Sequence, residues 1–173
     1  MSSYLKLIFF LTATGLLVGC ATQPPPATRS AQSSNPRRLE HVRTTAYSRG
    51  EDGGKHNAVG SRLSRGKCCS AASDWSRFPL GTRFRIVGTK EEYIIDDYGT
   101  ALVGTNTIDL YKHSRLEMRR WGVRHVDIDI LEWGSAENSL KVLKPRAKHR
   151  SVQRMVVALE KKNTDRLRTR SLD

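Results

Sequence analysis

The chain has 173 residues, with 30 Lys and Arg against 17 Asp and Glu, a formal net charge of +13. That length holds one modest domain with tails and excludes a multidomain enzyme. Organised apolar segments in the middle exclude a wholly disordered chain, and a single long apolar run at the N-terminus excludes a multi-span membrane protein.

Residues 1–20 read MSSYLKLIFFLTATGLLVGC. Lys6 gives a positive start, and the apolar stretch Leu7 to Val18 is too short to span a bilayer comfortably but suits a secretory signal. Leu17-Val18-Gly19-Cys20 resembles a bacterial lipobox, which makes Cys20 the expected lipidation site. The plainer alternative is an ordinary signal peptide with a chance cysteine. Ala21, rather than Asp, follows the cysteine. By resemblance to Gram-negative lipoproteins, that favours a lipid-anchored protein of the outer membrane facing the periplasm. An exported basic chain meets anionic envelope material and no nucleic acid.

Residues 21–40 are expected to be a flexible tether, rich in Pro, Ser, Thr and Gln up to Arg38 and spanning roughly 20–25 Å. Residues 41–134 carry 15 basic and 12 acidic side chains, whereas 135–173 carry 11 and 4, so the positive charge gathers in the tail.

From His41 the pattern is one of short strands: Val42–Tyr47, Arg83–Val87, Glu92–Asp97, Thr107–Tyr111 and a last one at His125–Leu131. In the last, Val126, Ile128 and Ile130 face one way, and Asp127 and Asp129 are expected on a solvated face. His113 to Trp121 reads as a short helix with Leu116 inward, closed by Gly122. Five or six strands in this span predict a small β barrel or sandwich. In the basic tail, Val152, Met155, Val156 and Leu159 fall on one helical stripe. This predicts a short helix packed on the barrel, with a membrane-surface amphipathic helix as the alternative.

Three aspartates sit where chemistry is expected. Asp74 lies on a loop before Pro79-Leu80-Gly81-Thr82, and Asp97 lies where a strand gives way to Tyr98-Gly99-Thr100-Ala101-Leu102-Val103-Gly104. Asp109 sits between Ile108 and Leu110, so it faces opposite to both. If those two are core, Asp109 faces solvent or a groove; otherwise it is buried and needs partners. Together with Thr45-Ala46-Tyr47, Ile108-Asp109-Leu110-Tyr111 and Trp121-Gly122-Val123, these motifs resemble, in order, the 3D (three-aspartate) domain family over about residues 43–131. That family is related to the catalytic barrel of membrane-bound lytic transglycosylase A. Thr100 stands where the family has a second glycine.

The resemblance implies a mainly β fold, a six-stranded double-psi β barrel over 41–134 with one short helix, to which the charge and the apolar stripe add a basic, partly helical tail at 135–173. It implies a peptidoglycan glycan strand as partner and cleavage of the MurNAc–GlcNAc bond without water, leaving a 1,6-anhydro ring. Asp109 would be the acid and base, with Asp97 and Asp74 as further catalytic candidates. Thr45, Tyr47, Gly99 and Trp121 would line the sugar groove. Each aspartate could equally be structural, accepting backbone N–H bonds in the barrel loops. The opposing reading of the whole is a lipid-anchored peptidoglycan-binding module that holds glycan without cutting it. The related enzyme grips its strand with a second domain for which this chain has no room, which leaves a place for an envelope protein partner. No cofactor is expected. Cys68-Cys69 read as small, half-buried residues, and the five histidines show no ligand spacing with them, so no metal site is expected.

Overall fold

The computed structural model describes residues 37–49, 55–64, 66 and 68–170. The expected signal peptide and lipobox, with Cys20, and most of the expected tether lie outside these residues. Among the described residues, no helix is long and apolar enough to cross a membrane.

Six strands run β1 (Arg37–Ser48), β2 (Cys69–Ala72), β3 (Arg83–Ile86), β4 (Glu92–Asp97), β5 (Ile108–Lys112) and β6 (Arg124–Glu132). They close in the order β1-β5-β2-β4-β3-β6, the six-stranded barrel expected from the sequence. Two neighbours, β1–β5 and β2–β4, are parallel, and the other pairings are antiparallel. Alternation sends Phe84, Ile86, Tyr93, Ile95, Ile108, Leu110, Ile128 and Ile130 into the core.

β1 begins at Arg37, so the last residues of the expected tether are strand. Arg37, Arg38 and Leu39 pair with Ile130, Asp129 and Ile128 before a register shift. The shift is made at His41, which sits at φ 53° while its N–H donates to Asp127 Oδ1. This pairing corrects the expected solvated acidic face. Asp129 is buried against Arg38, whose Nε lies 2.9 Å from its carboxylate. That hydrogen bond holds the Asp129 carboxyl below its ordinary range.

β2 escapes the sequence pattern because Cys-Ser-Ala-Ala has no branched residue and no polar–apolar alternation. It is nonetheless the strand between β4 and β5, and Ser70, Ala71 and Ala72 are all buried. Small side chains suit a strand closed in on both faces.

α1 (Arg115–Trp121) starts at Ser114, whose Oγ accepts the Glu117 N–H while Glu117 Oε2 reaches back to the His113 N–H. Gly122, at φ 60°, stops it. Leu116 does not face inward as expected but is 58% exposed, and α1 buries no residue. The helix is tied down at its end, where Trp121 Nε1 donates to Thr44 Oγ1 at 3.2 Å.

The basic tail folds into α2 (Ala136–Leu143) and α3 (Arg150–Arg170). Val152, Met155, Val156 and Leu159 are buried in the same apolar cluster as Trp75, Phe78 and Leu143. Each such side chain contributes about 1.5–3 kcal/mol. The stripe therefore packs on the barrel, as the first of the two readings has it, and the helix is long rather than short.

Candidate functional site

The barrel register builds the site. Thr45 pairs with Asp109, Asp109 with Ala72, and Ala72 with Asp97, a single row across β1, β5, β2 and β4. Residues opposite one another on paired strands share a face, so the two aspartates look out on the same side with only Ala72 between them. Two strand spacings place their Cα atoms roughly 10 Å apart.

Asp109 is flanked by Ile108 and Leu110, both fully buried, which locks its backbone and leaves its half-buried carboxyl facing away from the core. Thr45 Oγ1 donates to Asp109 Oδ1 at 2.6 Å. Two residues further along, Tyr47 and Tyr111 stand on the same face, their rings 5.5 Å apart. Both hydroxyls are buried and have no hydrogen-bond partner among the described residues. Burial pushes the Tyr47 hydroxyl well above its ordinary range, and the nearby charges of Asp97, Asp96 and Asp109 push it the same way.

Asp97 ends β4. Its carbonyl takes the Trp75 indole N–H at 2.7 Å and the Ser73 N–H at 3.2 Å, and its Oδ1 accepts the Tyr98 N–H at 2.8 Å. Burial raises its pKa to about 6, against the pull of the Tyr98 hydrogen bond and with help from Asp96.

Asp96 is a group that sequence reasoning missed. Adjacent residues on a regular strand face opposite sides, but the β2–β4 register shifts between Ala71 and Ala72, skipping Asp96. Asp96 Oδ2 holds Asn57 Nδ2 and Ser70 Oγ, Oδ1 has no partner among the described residues, and burial raises its pKa. The Asp96-Asp97 doublet was the available signal.

Asp74, one of the three expected catalytic carboxylates, is only 2% exposed. Its Oδ1 accepts the Ser76 N–H at 2.8 Å and its Oδ2 the Gly104 N–H at 2.7 Å, with Arg77 Nε at 4.0 Å. Those bonds fasten the loop after β4 to the turn after β2, a structural task. Gly99 precedes the 3-10 turn Thr100–Leu102 of that loop, where an added Cβ would meet the Leu102 side chain at 3.2 Å. Trp121, expected to line the sugar groove, carries two cations, with Lys112 Nζ and Arg124 Cζ each 4.5 Å from its ring centroid.

Cys68 and Cys69 are of intermediate exposure and form no disulfide among the described residues, and burial raises the Cys68 thiol. Among the described residues, no group of three or more His, Cys, Asp or Glu side chains is placed to hold a metal ion.

Residues 69–132 match the family model of the 3D domain. The chain carries a 3D domain. Such a domain is typically a peptidoglycan-related barrel. No curated protein matches the chain. The 3D match begins at β2 and leaves out β1, yet β1 closes the barrel and brings Thr45 and Tyr47 to the aspartates.

Proposed function

We propose that this 3D domain cleaves the glycan strand of peptidoglycan at the MurNAc–GlcNAc bond as a lytic transglycosylase. The observation that carries the reading is the row Thr45–Asp109–Ala72–Asp97, which presents two carboxyl groups on one face of a rigid barrel. The resemblance alone gives both proton transfers to Asp109. The surroundings divide the work instead.

Asp97, with its pKa raised to about 6 by burial, is the proton donor to the glycosidic oxygen. Asp109, oriented by the Thr45 hydroxyl, is the carboxylate that takes the proton of the sugar's 6-hydroxyl as that oxygen attacks C1. The C1–O bond breaks, the leaving oxygen keeps its electron pair and gains the Asp97 proton, and the 1,6-anhydro ring closes without water. Asp74 stays outside the chemistry. Lipid anchorage through Cys20 at the outer membrane, with glycan strands as partner, belongs to the same proposal.

Purified sacculi incubated with the protein test it, with released muropeptides read by mass spectrometry. Anhydro-muropeptides from the wild type, and none from Asp109→Asn, are expected. Asp97→Asn is expected to lose activity on sacculi but regain it on a muramyl glycoside with a nitrophenol leaving group, which needs no proton. Rescue of Asp109→Asn instead would move the acid to Asp109. Co-sedimentation with sacculi but no release would favour the binding module.

A further inference from the structure

Beside the aspartate row, between α1 and the barrel, lies a cavity of about 420 Å³ whose lining includes Tyr111, Lys112, Glu117, Arg120, Trp121 and Arg124. Its volume falls in the range of small-molecule sites, roughly 300–1,000 Å³. Tyr111 stands two residues beyond Asp109 on the same face of β5, roughly 7 Å along the strand, so the cavity adjoins the proposed cleavage site.

Two of its cations are fixed in place. Lys112 Nζ is held by Tyr93 OH at 2.7 Å and Glu91 Oε2 at 3.2 Å, and lies over the Trp121 ring. Arg124 packs over the same ring and donates from Nε to Trp121 O and from Nη2 to Arg120 O. Carbonyls do not cancel a charge, and neither Arg120 nor Arg124 is in an ion pair among the described residues. The second observation is Tyr111, only 3% exposed, whose hydroxyl has no partner among the described residues. Tyr111 is a residue of the cavity wall, and a buried hydroxyl left short of a hydrogen bond there marks a bond that an occupant can supply.

We propose that this cavity is a subsite for a carboxylate carried by the muramyl residue of the glycan, an inference that rests on the proposed function. Arg120 and Arg124 engage the carboxylate, and the Tyr111 hydroxyl bonds the sugar that bears it. Glu91 and Glu117 also line the cavity, so its excess of positive charge is small. That suits a singly charged carboxylate better than a doubly charged phosphate. The carboxylate is either that of the lactyl arm itself or one on the stem peptide that arm carries.

Calorimetry on the full chain carrying Asp109→Asn distinguishes these sources. The probes are GlcNAc–MurNAc, the same disaccharide bearing a tetrapeptide, and neutral diacetylchitobiose. Adding Arg120→Gln is expected to weaken a carboxylate probe roughly tenfold and leave diacetylchitobiose unchanged. Loss confined to the peptide-free disaccharide assigns the lactyl carboxylate, and loss confined to the peptide-bearing one assigns the stem. Tyr111→Phe is expected to weaken the same probe while the melting temperature holds or rises, because the change removes an unpaired hydroxyl. Equal weakening of all three probes, no weakening, or no binding of either carboxylate probe overturns the subsite. Anhydro-product release from sacculi by the wild type is read separately, so cleavage can stand while the subsite falls.

Discussion

The Thr45 hydroxyl donates to Asp109 Oδ1 at 2.6 Å across the parallel β1–β5 pair, joining two motifs 64 residues apart in the chain. A side chain on a barrel strand between two buried neighbours has little freedom, and this bond removes what is left. Thr45 is thus a positioning residue for the carboxylate proposed to handle the 6-hydroxyl proton. Thr45→Val keeps the branched shape and removes the donor. It is expected to lower kcat on sacculi roughly 10- to 100-fold with KM little changed, and Thr45→Ser should restore most of it. Equal kcat in Thr45→Val and wild type would remove the orienting role.

Asp97 makes a prediction that needs no substrate. Burial raises its folded pKa to about 6, above the ordinary carboxyl value. Between about pH 4 and pH 6 the folded state therefore holds more protons at this group than the unfolded state does. Its contribution to stability is fully present below that window and is lost as pH rises through it. In thermal melts across pH 4–7, the difference between wild type and Asp97→Asn should change in that window, with the wild type losing ground as pH rises. Parallel curves would remove the perturbed carboxyl.

Much of this was legible in the sequence, because alternation is a direct consequence of strand geometry. Ile108-Asp109-Leu110 forces the middle residue off the core, and the stripe Val152, Met155, Val156, Leu159 forces one buried helix face. The pairing of Asp109 with Asp97 was not legible. It runs through Ala72 on β2, a strand without a periodic signal, and depends on a register shift that no local pattern encodes. Leu116 and Asp129 went wrong for a related reason. One apolar residue on a two-turn helix does not fix its rotation, and the exposure of Asp129 was settled by Arg38, 91 residues away.

Asp74 separates a scaffold carboxylate from a reactive one. Asp74→Ala strands the Ser76 and Gly104 amides that its two oxygens now satisfy. A cost of roughly 2–3 kcal/mol in urea unfolding is expected. At a temperature where the variant remains folded, it should still release anhydro-muropeptides, unlike Asp109→Asn. A stable, inactive Asp74→Ala protein would place Asp74 in the chemistry.

Gly134 joins the barrel to its C-terminal helices, and the chain there leaves no space for a side chain. Its N–H donates to Thr82 Oγ1, which in turn donates to Pro79 O, and the next amide, Ser135 N, donates to Leu80 O. A Cβ on Gly134 would stand 2.3 Å from Leu80 O, 2.4 Å from Pro79 O and 2.5 Å from Thr82 N. All three are backbone atoms of the Pro79–Thr82 turn, so none can swing aside as a side-chain tip would. Relief requires the turn and the start of α2 to separate, which breaks the Ser135–Leu80 bond and strains the Leu80 N–Ser139 Oγ bond. Gly134→Ala is therefore expected to cost about 3 kcal/mol, the upper end for overpacking. Amide exchange should show that loss first around Leu80 and along α2, with β5 and β6 still protected. A variant with unchanged melting temperature would mean that the turn is not held against α2 through this glycine.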